Sequence, residues 1–505
     1  MIPTYYLLRD GLIDEKKVED PLHVSIYGVV VISGTLLFPI GGWLADAHLG
    51  RYKTVHYSML IMWIGAILVT VGEIIAEFSG TYSDHIKMWV YRVICIIVFA
   101  GLVGFLSNTV QLGTDQLFNA SASEISSFIL WIVLGIYASA FCSQLVSECI
   151  SSVYNMFYIR TFTVVVCLSL ALCSDFACKD WVVKEEVSRQ SLSEVWRIIW
   201  YIIKNRKVKY DFVTQGNELT TLFDVAKHQH GGPFTSLQVD NVRTFLWMIV
   251  ILATCGVVFG AITPIEYARE KIQYRWDGNQ EAKGLAGCYM KLTLHYEDSI
   301  IIVVLVSLYE FFIRPIFYKC LPKGSIINRF VIGTALFFLW IMSLLAIESY
   351  AYSKHVNAGL NNSVECIFKE DQPEIKFNQL WFLIPDFLSG ISRTLLYVTA
   401  FEFIWAQTPS TMKGLMLGVA FTTLGLNTLL QGIISAPFLF KFGTLIFYWH
   451  PLTCGIWYFI MEGVLTLVVL MGTMFVVVKY KKKDQKIVFD GQTYYIDEDT
   501  YYDQR

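Results

Sequence analysis

The feature that most constrains this chain is the recurrence of apolar runs of roughly 20 residues, the length a helix needs to cross a lipid hydrocarbon layer. Eleven such runs are read near 23–44, 54–77, 89–110, 125–147, 157–176, 243–265, 299–317, 326–349, 380–405, 412–438 and 455–478. Hydrocarbon offers no water to backbone N–H and C=O groups, so each run must be helical and supply its own hydrogen bonds. Composition agrees: 55% of the 505 residues are hydrophobic and 16% are charged, against about a quarter charged in soluble domains. The expected fold class is therefore an all-α polytopic membrane protein. A net charge of −3 argues against nucleic acid as a partner.

Lys and Arg in the connecting segments orient the spans. Four places are basic: Arg51 with Lys53, the stretch 177–241, Lys319 with Lys323, and Lys479-Tyr480-Lys481-Lys482-Lys483. With all four on the cytoplasmic side, every intervening span alternates without conflict. Residues 1–22 then lie outside and the C-terminus inside. No cleavable signal peptide is read, because Arg9, Asp10, Asp14, Glu15, Lys16 and Lys17 interrupt the first 20 residues. The expected organisation is a helical bundle over 1–176, a cytoplasmic linker over 177–241, a second bundle over 242–478 and a cytoplasmic tail over 479–505. Within the linker, Leu192–Tyr210 alternates apolar and basic residues at helical spacing, which predicts an amphipathic helix on the inner membrane surface.

The same topology places Asn361-Asn362-Ser363 in an outer loop, which makes Asn361 a candidate for glycosylation, and is expected to leave the Asn119-Ala120-Ser121 sequon bare in the cytosol. Cys288 and Cys366 fall in two outer loops, and a disulfide and two free thiols both remain open. The 11 cysteines show no metal-binding spacing, so neither metal nor cofactor is expected. No cluster of His, Asp or Ser within the spans has catalytic spacing, which argues against an enzyme.

The loop after the first run reads Gly41-Gly42-Trp43-Leu44-Ala45-Asp46, then Gly50-Arg51-Tyr52-Lys53. Paired glycines permit close helix approach, and Asp46 is placed to accept from a helix N-terminus or an arginine. This loop resembles the hallmark of the major facilitator superfamily. With Trp43 and Gly65 it is similar to the signature of the proton-dependent oligopeptide transporter family. Further stretches agree in order along most of the chain. They are Leu112-Gly113-Thr114-Asp115-Gln116-Leu117, Phe223-Asp224-Val225-Ala226-Lys227, Gly231-Gly232-Pro233-Phe234-Thr235 and Val239-Asp240-Asn241-Val242. Beyond them come Leu308-Tyr309-Glu310-Phe311 with Pro315, then Arg329, Ile332, Gly333, Ala346 and Glu348, then Phe401-Glu402-Phe403 with Gln407-Thr408-Pro409-Ser410-Thr411-Met412-Lys413. The peptide/histidine branch of solute carrier family 15 is the branch it most resembles.

The resemblance implies the major facilitator fold, two pseudo-symmetric bundles with about 11 of 12 membrane helices present. It also implies a cytoplasmic gate at Gly41, Gly42, Asp46, Gly50, Arg51 and Lys53. The family's loop follows its second helix, whereas here it follows the first full run. A missing first helix accounts for that, and for the absence from 1–22 of the family's Glu-x-x-Glu-Arg motif. A true eleven-span protein is the alternative.

Charges inside membrane helices are costly and face a cavity or a partner. Glu310 and Arg314, four apart on one helical face, read as an ion pair. Asp386 and Arg393, seven apart, also share a face and are candidates for the substrate cavity, as is Tyr27, which equally suits an interfacial anchor. Glu402 falls near the cytoplasmic end and suits a gate or coupling role. Two positions depart from the family. Leu106, followed by Ser107, stands where the family has lysine and proline, and Arg393 stands where it has a glutamate implicated in binding the peptide amino terminus. Asp386 replaces a usual glutamine. A guanidinium in place of a carboxylate reverses the local sign, repelling an ammonium group and attracting an anion.

The expected function is secondary active transport by alternating access, with proton-coupled uptake of di- or tripeptides, histidine or a related small polar solute. Two alternatives stand beside it: a carrier of an anionic non-peptide solute, and a non-transporting receptor or scaffold. The expected setting is a monomer in the lipid bilayer of the plasma membrane or of a lysosomal or endosomal membrane.

Overall fold

The structure is a computed structural model of the chain. It describes residues 34–79, 84–117, 120, 122–154, 157–183, 191–205, 222–277, 297–313, 326–357, 379–408, 412–439, 454–479, 485–489 and 492–496. Tyr27, Asn119, Cys288, Arg314, Asn361 and Cys366 lie outside the described residues.

Every apolar run contains a helix. Helix α1 (Phe38–Leu44) covers the end of the first run, with Pro39 in its first turn, where a missing N–H costs nothing. A π turn, Ala45–Leu49, follows. Then come α2 (Arg51–Ser79), α3 (Asp84–Asp115), α4 (Ala122–Tyr154) and α5 (Phe157–Cys178). The amphipathic helix α6 spans Ser191–Lys204, and short 3-10 turns occupy Leu222–Ala226 and His228–His230. The second set is α7 (Ser236–Asp277), α8 (Glu297–Leu308) with a π turn Tyr309–Ile313, α9 (Ile326–Asn357), α10 (Leu383–Gln407), α11 (Lys413–Leu439) and α12 (Cys454–Lys479). Among the described residues, nine helices are long and apolar enough to cross a membrane, and α8 adds the shorter stretch Ile300–Phe311.

Two ends differ from expectation. Helix α7 runs on to Asp277, past the predicted end at 265. Hydropathy falls where Glu266 enters, but Glu266-Tyr-Ala-Arg269 suits a helix, and both charges find partners on α10. In the tail, β1 (Gln485–Phe489) pairs antiparallel with β2 (Gln492–Ile496), Ile487 opposite Tyr494. Asp490-Gly491, a hairpin-turn dipeptide, separates these strands in sequence.

Each helix buries one stripe and exposes another. On α2, Tyr57, Ile61, Ile64, Leu68, Val71 and Ile75 are exposed at three- and four-residue spacing, while Val55, Met59 and Met62 are buried against α3 and α5. An exposed apolar stripe on a spanning helix is the face that meets lipid. Helices α7, α9, α10 and α12 share a core around Phe337, Trp340, Tyr458 and Phe459. Two clusters cross between the early and late helices. Ile125, Ile129 and Val133 of α4 pack on Ile302 and Val306 of α8, and α6 packs on α7 in a cluster that also holds residues of α3 and α11.

Candidate functional site

The π turn after α1 carries Asp46 into the interior. Gly50 ends the turn with φ 80° and ψ 150°, a conformation open essentially only to glycine. It turns the chain so that Arg51, the first residue of α2, folds back onto the turn. Arg51 Nε lies 3.2 Å from Asp46 Oδ1, and its Nη1 lies 2.6 Å from Asp115 Oδ2 at the end of α3. The other Asp46 oxygen accepts the Leu415 backbone N–H at 2.9 Å. Leu415 is in the first turn of α11, whose N–H groups lack helical partners and carry the positive end of the helix dipole. The Asp46–Arg51 pair thus joins α2, α3 and α11. Burial pushes the Asp46 carboxyl up from its usual value, against Arg51 and the N–H donors of Leu415 and Gly414. Lys53 is exposed.

The glycines make this approach possible. A Cβ on Gly41 would lie 2.8 Å from a Val103 methyl, and one on Gly42 would lie 2.7 Å from Leu415 N and closer still to the Gly414 carbonyl. The seam between α1 and α11 continues through Thr422 Oγ1, which donates to Thr35 O at 2.7 Å, and through the rings of Phe38 and Phe421, 5.5 Å apart. Behind it, Ser107 and Asn108 of α3 donate to Phe38 O at 2.9 Å and Gly41 O at 3.2 Å.

A second seam closes at the same end. Ser126 and Ser127, in the first turns of α4, donate to Glu402 and Glu310 respectively. Arg329 of α9 holds the other Glu402 oxygen at 2.5 Å. The linker is fastened nearby. Lys227 reaches Asp224 at 3.1 Å and Asp240 at 3.0 Å. Desolvation lowers its ammonium, but the two carboxylates outweigh that and hold it above its usual value.

A charged network occupies α7 and α10, on the half of the molecule away from these seams. Arg269 holds Asp386, with one nitrogen 2.7 Å from each carboxylate oxygen. Arg393 pairs with Glu266 and stacks over Trp340, its Cζ 5.2 Å from the ring centroid. Asp386 and Arg393 are buried, whereas the Glu266 side chain is 38% exposed. The Tyr397 ring packs edge-on against that of Tyr137 of α4, with centroids 6.2 Å apart. Glu266 and Arg269 balance Asp386 and Arg393, so Arg393 does not present the unopposed positive charge that its replacement of a carboxylate suggests.

Residues 292–441 match the profile of the POT family. Protein NRT1/PTR FAMILY 5.11 of Arabidopsis thaliana is 23% identical over 425 residues, covering 80% of this chain and 75% of that protein. Solute carrier family 15 member 3 of Rattus norvegicus is 20% identical, covering 79% and 74%. The crystal structure of the POT family transporter PepTSo superposes with a TM-score of 0.63 at 14% identity, covering 96% of both chains. This chain is similar to the POT family, by a family match over residues 292–441 and by relatives of that family along most of its length.

The POT family is one of transporters and not of enzymes, and the apolar helices together with the POT relatives make this chain an integral, multi-pass membrane protein. Its fold is that of the major facilitators, shared with the xylose symporter XylE at a TM-score of 0.55 and 12% identity. A POT family structure in complex with 5-aminolevulinic acid superposes with a TM-score of 0.58 at 15% identity, covering 95% of this chain and 94% of that one.

The structure brings Gly41, Gly42, Asp46, Gly50 and Arg51 together at one seam, and Glu310 and Glu402 at the other. Asp386 and Arg393 share a network, though each is held by its own partner on α7. Sequence reasoning missed four charged members of these sites. Asp115 lay inside a quoted motif without a role, and Arg329 was noted only as a family match. Glu266 and Arg269 sat just past the predicted end of a span. Their three-residue spacing at a helix end was the signal that could have found them.

Proposed function

We propose that this chain is a proton-coupled carrier of di- and tripeptides, histidine or a similar small zwitterion. It works by alternating access between bundles 1–176 and 242–478, joined by 177–241. The observation that carries this reading is the Asp46 carboxylate bonded to the α11 amide of Leu415, 369 residues away. It ties the two bundles at the basic-loop end, which the positive-inside rule places in the cytoplasm. Ser126, Glu402 and Arg329 form the matching tie across the other seam. Breaking both opens that end, and the π turns beside Asp46 and Glu310 supply irregular backbone where movement is needed.

The α7–α10 network supports a zwitterionic solute, because it offers both signs of charge. Glu266, its half-exposed carboxylate, is placed to meet a proton or an ammonium group, and Arg393 to meet a carboxylate released from Glu266. Relatives solved with alafosfalin and with 5-aminolevulinic acid support the same class. A carrier of a purely anionic solute is the second reading, favoured by Arg393 alone.

The test is uptake of labelled dialanine and histidine by the full chain in liposomes under a pH gradient. Gradient-driven uptake abolished by a protonophore is expected. Uptake of neither solute, with or without a gradient, overturns the reading, and competition by small dicarboxylates but not by dipeptides selects the anionic one.

A further inference from the structure

Helix α6 has two apolar faces, and transport accounts for only one. Val195, Ile198 and Ile202 are buried in the cluster that also holds Met412 and, on α11, Leu415 and Met416. On the other side Trp196, Trp200 and Ile203 are 66%, 58% and 54% exposed. The two indoles stack with centroids 6.3 Å apart, and Arg197 and Lys204 are exposed beside them. Trp181, 83% exposed, follows α5. Val183, two residues on, exchanges hydrogen bonds of 2.8 and 3.1 Å with Gln116, the neighbour of Asp115. The gate end therefore displays three exposed tryptophans with cations among them.

Indoles flanked by Lys and Arg belong at a membrane–water boundary, and the cytoplasmic leaflet is the anionic one. We propose that α6 is a binding site for anionic phospholipid that braces the gate. Trp196, Trp200 and Ile203 enter the headgroup layer, and Arg197 and Lys204 meet lipid phosphates. The opposite face packs on α7 and the 3-10 turn Leu222–Ala226, within the apolar cluster that reaches Leu415 of α11, whose amide Asp46 holds. Anionic lipid thereby favours the state closed at the basic-loop end. This rests on reading the Asp46–Leu415 contact as the gate.

The test is hydrogen exchange of the full chain in phosphatidylcholine vesicles with and without phosphatidylserine. Phosphatidylserine is expected to slow exchange over 412–416 several-fold. Arg197→Gln/Lys204→Gln leaves the buried face untouched and is expected to abolish that effect. Trp196→Ala/Trp200→Ala is expected to lose the part of the tryptophan emission that brominated lipid quenches. Exchange that is the same in both vesicles overturns the brace. Equal quenching in wild type and the indole variant overturns the lipid contact. So does a dimer that the indole variant disrupts, which would make a second copy the occupant. No solute is present, so a lipid effect without any uptake would sink the peptide reading and leave this one standing.

Discussion

Gly42→Ala is a direct wedge into the seam proposed as the gate. The added methyl lies 2.7 Å from Leu415 N and closer to the Gly414 carbonyl, backbone atoms that cannot swing aside. Relief requires α1 and α11 to part by on the order of 1 Å, given ordinary van der Waals separations. Asp46 Oδ2 and Leu415 N are 2.9 Å apart, so that parting takes the bond out of range. A hydrogen bond to a charged group contributes about 1.5–3 kcal/mol. The closed state should lose that much relative to the open one, roughly a ten- to hundredfold shift in population. Hydrogen exchange over 412–416 reads it directly, and protection should fall by a similar factor. Overpacking of a rigid core instead costs about 1–3 kcal/mol of global stability. If Gly42→Ala lowers the unfolding midpoint yet leaves 412–416 as protected as in wild type, the seam is a static contact and the gate reasoning fails.

Asp46→Asn should change the pH profile of stability. The folded carboxyl is raised above 3.8, so its contribution is complete below that value and is lost as pH rises through the folded value. The thermal midpoint of the Asn variant should lack that slope, and an unchanged slope counts against it. Gly50→Ala forces a side chain onto φ 80°, ψ 150° and should cost about 1–3 kcal/mol, read as a lower midpoint; no loss would mean the turn relaxes freely. Arg393→Glu sets a carboxylate beside Glu266. With Glu266 38% exposed, the cost should fall between surface and buried pairs, about 1–3 kcal/mol. Glu266→Arg/Arg393→Glu should recover part of it, and strictly additive midpoints would show the two are not coupled. If Arg393→Glu also left solute preference unchanged, its place in the solute path would be wrong. Glu402→Gln weakens the 2.5 Å contact to Arg329 and should raise exchange in the first turns of α4; unchanged exchange there removes the second seam from the gate.

Much of the site was readable from local sequence. The Gly-Gly pair, Asp46 and the Gly50–Arg51 step were legible as a family hallmark, because a tight turn and a helix start leave their residue types in consecutive positions, and the resemblance alone implied a gate there. Glu402 was placed by its depth in a span. The two π turns were not readable, since each keeps helical periodicity and only shifts the hydrogen-bond ladder by a residue. The reversal of charge at Arg393 was read correctly as a residue change and incompletely as a field. Its counter-charge, Glu266, comes from a different helix.

The sequence by itself determined which segments become helices. In hydrocarbon each must satisfy its own backbone, so length and hydropathy suffice, and α6 showed its two faces through periodicity. Partner choice belonged to the tertiary structure. Periodicity says that Asp46, Asp386 and Arg393 face inward, but not toward which neighbour. That Asp46 meets the Leu415 amide, Asp386 meets Arg269 and Arg393 meets Glu266 depends on how α1, α7, α10 and α11 pack, and helix packing joins residues that no local pattern relates.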